Sequence, residues 1–425
     1  MADFIEELRW RGLIHDVTPG LEEQLVKEIT SGYVGFDPTA NSLHIGNLVP
    51  IMLLTHLQRA GHKPYALVGG ATGRVGDPSG KTQERKLLDV EQIERNVEAI
   101  KEQLSRFLTF GSGETDAVMV NNYDWFEGYS FLDFIRDAGK HITINYMLSK
   151  DSVQNRLETG MSFTEFSYQL IQGYDFYHLN KANGVKLQMG GSDQWGNITT
   201  GIEMTRRMNG GDTYAITAPL IKKADGTKFG KSEGGNVWLD AKKTSPYKFY
   251  QFWLNASDED VENFIKVFSL KNQSEIQSLI DEHREEPHRR ILQKSLAEEL
   301  TERIHGEQAL KTAIEASNIL FGKSTSENLK ALSEEDFLDV FSGVEQADFS
   351  SDLLNDGVSV VDFLSDTTGF LNSKGEARRA LKENSISVNK ERVNDALIID
   401  RSHLIREKYI LLQRGKKRYF IAKAL

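Results

Sequence analysis

A chain of 425 residues is long enough for two or three domains, and its net charge of −11 argues against nucleic-acid binding until it is divided along the chain. It has no cysteine, which excludes disulfides, thiolate zinc sites and thiol nucleophiles. No apolar run approaches the roughly 18 residues of a membrane span, and the amino terminus lacks a secretory pattern, so we expect a cytoplasmic protein that does not bind membranes.

The charge is unevenly spread. Residues 351–425 carry 14 Lys+Arg against 10 Asp+Glu, whereas residues 1–350 carry 37 against 52. An acidic body with a basic end predicts an enzyme joined to a small polyanion-binding module.

The first 220 residues alternate short β-rich runs with helical patterns. Ser31–Phe36, Tyr65–Gly69, Ala117–Asn121, Lys186–Gly190 and Tyr214–Ala218 read as strands. A helix from Gly46 to about Ala60 is apolar almost all round, hence buried. Strands spaced by helices predict a Rossmann-like α/β domain over 1–220, a parallel sheet covered on both faces. Ligands then sit at the carboxyl ends of the strands, near the reversal of strand order. Residues 221–245, rich in Lys and Gly, read as a mobile connector, 246–322 as an α-helical domain and 323–350 as an acidic linker, a helix flanked by linker segments. Residues 351–425 read as a small α/β domain.

Three segments carry candidate chemistry. Asp37-Pro38-Thr39-Ala40-Asn41-Ser42-Leu43-His44-Ile45-Gly46-Asn47 follows the first strand and opens the buried helix. A helix amino terminus offers free amides and partial positive charge to a polyphosphate. His44 and Thr39 add side-chain donors, although a histidine at such a turn also serves as a structural cap. The Gly-rich run Gly69–Thr82 ends like a P-loop, but a P-loop needs four residues between its glycines and Val75 stands where the first is required. We read it as a substrate-lining loop, with Lys81 and Arg85 available to phosphate. Lys228-Phe229-Gly230-Lys231-Ser232 sets two lysines three apart in a Gly-rich loop able to close over phosphates.

In combination these segments resemble a known family. His44-Ile45-Gly46-Asn47 is similar to the His-Ile-Gly-His signature of class I aminoacyl-tRNA synthetases, and Lys228–Ser232 to their Lys-Met-Ser-Lys-Ser signature. Asn47 replaces the second histidine, and Phe229-Gly230 replaces Met-Ser, sparing both lysines. Gly190-Gly191-Ser192-Asp193-Gln194-Trp195-Gly196-Asn197 resembles the bacterial-type tyrosyl members. So does Phe163–Tyr177, in which Tyr168, Gln172 and Asp175 fall on one helix face. Val360–Leu425 is similar to a small RNA-binding module shared with a ribosomal small-subunit protein, including Ser373–Ala380 and Ile386–Asn389.

The resemblance implies ATP-dependent activation of L-tyrosine to tyrosyl-adenylate, then transfer to the 3′ end of tRNA(Tyr). Mg²⁺ would accompany ATP with no protein-bound metal site, and the enzyme would be a homodimer. It implies that Tyr168, Gln172 and Asp77 hold the substrate ammonium, Tyr33 and Asp175 the phenol hydroxyl, with Gln194 beside the amino acid. Thr39, His44, Lys228 and Lys231 would act on the phosphates, seconded by Lys81 and Arg85. Gly35, Asp37, Gly46, Asn47, Gly191, Asp193, Gln194, Phe229 and Gly230 would frame the nucleotide. In the tail, Lys374, Arg378 and Lys382 form a helical stripe with Arg379 beside it, and Arg414, Lys416, Lys417 and Arg418 a second cluster; both are expected on RNA phosphates.

Overall fold

The computed structural model describes residues 3–79, 88–156, 160–227, 229–232, 235–321, 326–342, 344–415 and 418–425. They divide into two compact units, residues 1–244 with 252–304, and residues 245–251 with 305–425.

The first unit is built on a six-stranded sheet. Its strands are β1 (Asp16–Val17), β2 (Ser31–Phe36), β3 (Lys63–Val68), β4 (Val118–Asn121), β5 (Leu187–Gly191) and β6 (Tyr214–Ala218), in the order β1-β6-β5-β2-β3-β4. All neighbours are parallel except the two-residue β1, which pairs antiparallel with β6 at the edge. The five strands expected from the sequence are present within a residue or two, and β1 is additional. Beyond β2 the chain winds outward through β3 and β4, then returns to β5 on the other side. The reversal of strand order therefore lies between β2 and β5.

Alternation along β2 sends Tyr33 to one face and Gly32 to the other. On the first face Tyr33 packs with Tyr65, Leu67, Phe176 and Leu179, which brings in helix Phe163–Asn183. On the second, helix Leu48–Arg59 lies so close that a Cβ on Gly32 would sit 2.8 Å from Leu57 Cδ2. Contact on all sides explains that helix's composition: Leu48, Ile51, Leu53, Leu54 and Leu57 are fully buried.

Helix Phe163–Asn183 is punctuated by its own sequence. Ser162 caps its start by accepting from Glu165 N at 3.1 Å, and Gly184 ends it at φ +67°. It packs against helix Trp195–Asn209, where a Cβ on Gly201 would lie 2.9 Å from Phe176 Cβ, and one on Gly173 3.5 Å from Gly201 N. This close crossing fixes the height of Tyr168, Gln172 and Asp175 over the sheet. A two-stranded ribbon, β7 (Lys231–Ser232) with β8 (Gly235–Asn236), follows the sheet in sequence, and helices such as Asp258–Phe268 and Gln273–Glu285 complete the unit.

The second unit contains β9 (Glu345–Phe349), β10 (Val358–Ser359), β11 (Ile386–Val388), β12 (Glu391–Arg392), β13 (Ile398–Ile399), β14 (Tyr409–Arg414) and β15 (Arg418–Ala424). One sheet runs β12-β11-β14-β15-β9, and β10 pairs with β13. The stretch 323–350, expected as an acidic linker around a helix, contains a helix but belongs to this unit. Helix Glu334–Val340 buries Phe337 and Val340, and β9 pairs in parallel with β15 at the sheet edge. Of the acidic residues in this stretch, Glu335 is exposed on the helix, Glu345 and Asp348 are exposed on the edge strand, where charge discourages pairing with another chain, and Asp339 is largely buried in an ion pair with Lys248.

Substituting Gly201 by Ala tests the helix crossing. Helix propensity favours Ala by roughly 1 kcal/mol, but overpacking against the buried Phe176 costs about 1–3 kcal/mol. We expect a lower denaturant midpoint, followed by tryptophan fluorescence; a raised midpoint would mean the crossing is loose.

Candidate active site

A cavity of about 720 Å³ opens at the carboxyl ends of β2 and β5, where the strand order reverses. Tyr33, Gly35, Asp37, Thr39, His44, Gly46 and Asn47 line it from β2 and the turn beyond. Asp77 lines it from the Gly-rich run, and Tyr168, Gln172 and Asp175 from helix Phe163–Asn183. Gly191, Asp193 and Gln194 enter from the end of β5, and Phe229 from the later loop. Lys81, Arg85 and Lys228 lie outside the described residues, as does the side chain of Lys231.

Hydrogen bonds join these groups across the cavity. The Tyr168 hydroxyl donates to Asp37 Oδ2 at 2.8 Å, and the Thr72 hydroxyl donates to Asp37 Oδ1 at 2.7 Å. Asn122 Nδ2 donates to Thr72 Oγ1 at 3.1 Å and to Asp175 Oδ2 at 3.0 Å. Trp125 Nε1 donates to Asp175 Oδ1 at 2.9 Å. Asp77 accepts from Gln194 Nε2 at 2.8 Å and from Ser79 N at 3.0 Å, with Asn197 Nδ2 at 3.4 Å. Thr72, Asn122, Trp125, Ser79 and Asn197 were not among the expected site residues. Asn122 and Trp125 follow β4, at the ligand-facing end of a parallel strand, but nothing local in the sequence pairs them with Asp175.

Among the described residues, the cavity-lining Tyr33 hydroxyl, Gln172 Oε1 and Gln188 Oε1 are buried without a hydrogen-bond partner and so keep capacity for a ligand. The Tyr33 ring is held edge-on against Phe176 at 5.4 Å. Its hydroxyl makes no bond to Asp175, whose two oxygens accept from Asn122 and Trp125. Burial, and then the charge of Asp175, push the Tyr33 hydroxyl well above its ordinary pKa, so it remains a donor.

The two signature segments meet. His44 Nδ1 accepts from Gly46 N at 3.1 Å, while Asn47 Oδ1 accepts from His44 N at 3.0 Å, a reciprocal cap on the short turn Ile45–Asn47 that leads into helix Leu48–Arg59. With Nδ1 accepting, the neutral ring carries its proton on Nε2. The cap and the cavity-lining role expected of His44 thus coexist, and Asn47 holds the backbone of His44. The later loop docks alongside through Ile45 N to Val237 O at 2.9 Å and Leu239 N to Leu43 O at 2.9 Å. Gly230, at φ +95°, turns so close to Gly46 that a Cβ there would lie 3.4 Å from Gly46 N. The Trp238 ring stands edge-on to His44 at 5.8 Å. Phe229 stacks on Phe268 at 5.3 Å amid Phe252, Trp253 and Phe264, so besides bordering the cavity it anchors the loop.

Glycines of the Gly-rich run answer a steric need. A Cβ on Gly69 would meet Asp37 Oδ1 at 2.4 Å, and one on Gly70 would meet Asn121 Oδ1 at 2.3 Å. The run curls over the carboxylate that ends β2 and delivers Asp77 to the cavity.

In the second unit, helix Lys374–Lys382 exposes Lys374, Arg378, Arg379 and Lys382. They are not equivalent. Lys374 Nζ lies 2.6 Å from Asp362 and 2.9 Å from Asp366, whereas Arg378, Arg379 and Lys382 form no ion pair among the described residues. Arg414 pairs with Glu376 at 2.5 Å, and Arg418 lies over the Phe370 ring at 4.9 Å. Lys416 and Lys417 are outside the described residues.

Burial, opposed by the Asn122 and Trp125 hydrogen bonds, pushes the Asp175 carboxyl up to about 8. In the unfolded chain it ionises near ~4. Between those values the folded protein holds a proton that the unfolded chain has lost, so stability falls as pH rises from about 4 to about 8. The stability of the wild type relative to Asp175→Asn, which cannot titrate, should fall across that window in denaturant unfolding. A difference that stays flat or grows would contradict the desolvated carboxyl.

The chain is similar to known proteins over its whole length. Residues 27–322 match the family model for class I tRNA synthetases (W and Y), and residues 336–422 that of the tyrosine–tRNA ligase SYY-like C-terminal domain. The tyrosine–tRNA ligase of Flavobacterium johnsoniae is 59% identical over 431 residues, with 100% of each chain covered. That of Cytophaga hutchinsonii is 56% identical, with 99% of each covered. A C-terminally truncated mitochondrial tyrosyl-tRNA synthetase from Aspergillus nidulans superposes with a TM-score of 0.68 at 31% identity, covering 76% of this chain and 95% of that one. The chain belongs to the class I aminoacyl-tRNA synthetases, within their tyrosine–tRNA ligase family.

Proposed function

We infer that the cavity activates L-tyrosine with ATP and that the enzyme then passes the tyrosyl group to the 3′ end of tRNA(Tyr). The observation that carries the choice of amino acid is the buried Tyr33 hydroxyl, without a partner in a cavity it shares with Asp175. A phenol hydroxyl entering there accepts from Tyr33 and donates to the Asp175 carboxyl. At the other end Asp77, Tyr168 and Gln172 offer acceptors for the ammonium.

The tyrosine carboxylate needs no general base, being ionised above a pKa of ~3.5. Its oxygen bonds to the α-phosphorus of ATP, the bond from that phosphorus to the bridging oxygen breaks, and pyrophosphate leaves with the Mg²⁺ that entered with ATP. A terminal ribose hydroxyl of the tRNA then attacks the tyrosyl carbonyl and releases AMP. The protein contributes positioning and stabilisation of charge growing on the phosphates. We assign that to Thr39 and to the Nε2 proton of His44, with Lys228 and Lys231 over the pyrophosphate and Lys81 and Arg85 in support. Asp37, Gly35, Gly46, Asn47, Gly191, Asp193 and Gln194 frame the ribose and base, and the backbone of Phe229 and Gly230 closes that side. Lys222, which sequence reasoning passed over, also borders the cavity.

A homodimer is supported by exposed apolar side chains, Phe131 at 62%, Leu132 at 76%, Ile144 at 60% and Phe163 at 67%. No helix among the described residues is long and apolar enough to cross a membrane; a role in translation supports work in the cytoplasm.

The reading is tested by exchange of pyrophosphate into ATP, which should require tyrosine. His44→Ala should lower kcat by about 10²-fold, the cost of one donor to developing charge, while tyrosine affinity is kept. Tyr33→Phe should weaken tyrosine by ~0.5–1.5 kcal/mol and discriminate less against phenylalanine. Exchange that proceeds without tyrosine, or unaltered discrimination in Tyr33→Phe, would sink the assignment.

The tail is tested separately. Arg378→Glu with Lys382→Glu should lower tRNA charging and reduce the salt slope of tRNA binding by about 1 for each phosphate no longer neutralised. Lys374→Ala should matter less, because Asp362 and Asp366 already neutralise Lys374. Pyrophosphate exchange should be unchanged by all three substitutions; equal losses from the paired and the unpaired residues would contradict the RNA-binding stripe.

A further inference from the structure

Asp175 receives one of its two hydrogen bonds from a side chain with little local support. Trp125 comes from the four-residue helical turn Tyr123–Phe126 after β4, none of whose residues is fully buried. Its indole is partly buried beside Tyr33 and Phe176. It also lies flat on the imidazole of His178, the ring centroids 4.6 Å apart and the planes 13° from parallel. His178 stands three residues beyond Asp175 on helix Phe163–Asn183, so the two side chains leave neighbouring points of one helix surface. One helix thus presents the carboxyl and, one turn on, the flat surface on which the donor to that carboxyl rests.

We propose that His178 is a positioning residue of the tyrosine pocket: by stacking on Trp125 it aims the indole Nε1–H at Asp175 and so sets the discrimination for a phenol hydroxyl. The inference rests on the reading of Asp175 as the phenol's partner. Rotation of the indole would remove a donor from a carboxyl buried in the protein, where each unmade hydrogen bond costs most. The freed oxygen would turn to Asn122 or to water rather than to the substrate. The stack is an aromatic contact, so a benzene ring can replace the imidazole in it, whereas an aliphatic methyl cannot.

The test uses the full-length enzyme in tyrosine-dependent pyrophosphate exchange. His178→Ala should raise the KM for tyrosine by on the order of 3- to 10-fold, the loss of one modest hydrogen bond. It should narrow the preference over phenylalanine while leaving the KM for ATP unchanged. His178→Phe should restore wild-type values. Trp125→Phe, which keeps a ring and removes the donor, should show the same tyrosine-specific loss, and adding His178→Ala to it should bring no further change. A KM for tyrosine unmoved by His178→Ala, equal rises in both KM values, failure of His178→Phe to rescue, or additive losses in the double variant would each overturn the inference. Asp175→Asn separates the two levels. If it leaves tyrosine KM and discrimination untouched, the pocket reading itself fails; if it damages both while His178→Ala does not, only the role of His178 falls.

Discussion

Carboxyl groups are costly to remove from water unless hydrogen bonds replace their hydration, and this enzyme gathers Asp37, Asp77 and Asp175 into one cavity. Much of the surrounding structure answers that cost. A continuous chain runs from the Tyr168 hydroxyl to Asp37, then through Thr72 and Asn122 to Asp175, ending on the Trp125 indole. The chain draws on β2, the Gly-rich run, the segment after β4 and helix Phe163–Asn183. Shifting one of these elements breaks a bond made by another, so the site is only as precise as the packing of the sheet.

That packing depends on residues with no chemistry. Gly32 lets helix Leu48–Arg59 rest against β2, which sets the helix start carrying His44 at the rim of the cavity. Gly173 and Gly201 bring two helices into close contact and hold the stripe of Tyr168, Gln172 and Asp175. Gly46 and Gly230 allow backbones of the two signature segments to approach, and main-chain hydrogen bonds then tie Leu43 and Ile45 to Leu239 and Val237. The signature motifs are therefore as much about close approach as about the groups that would touch phosphate.

The sheet was legible because its strands are short apolar runs separated by helical periodicity, and the ligand edge followed from strand order. Tyr168, Gln172 and Asp175 were readable because a helix face is a spacing rule. Asn122 and Trp125 were not, since a contact between the end of β4 and a helix fifty residues later has no local pattern. A helix within 323–350 was legible, but its flanks read as linker because acidic composition is shared by linkers and edge strands, and the pairing of β9 with β15 leaves no local pattern. The tail's stripe of basic residues was visible by periodicity, but the neutralisation of Lys374 by Asp362 and Asp366 depends on a neighbouring turn that periodicity does not report.

On the proposed function the cavity has two polar ends, Tyr33 with Asp175 at one and Asp77, Tyr168 and Gln172 at the other, each completed by a different part of one amino acid. Calorimetric titration of the wild-type enzyme with L-tyrosine, L-phenylalanine and 3-(4-hydroxyphenyl)propionate probes both ends without altering the protein. Loss of the phenol hydroxyl, or of the ammonium, strands buried groups in the cavity, and each should weaken binding by on the order of 10-fold, the cost of a buried polar group left unsatisfied being about 1–3 kcal/mol. Binding of either analogue as tight as that of tyrosine would contradict the two-ended site.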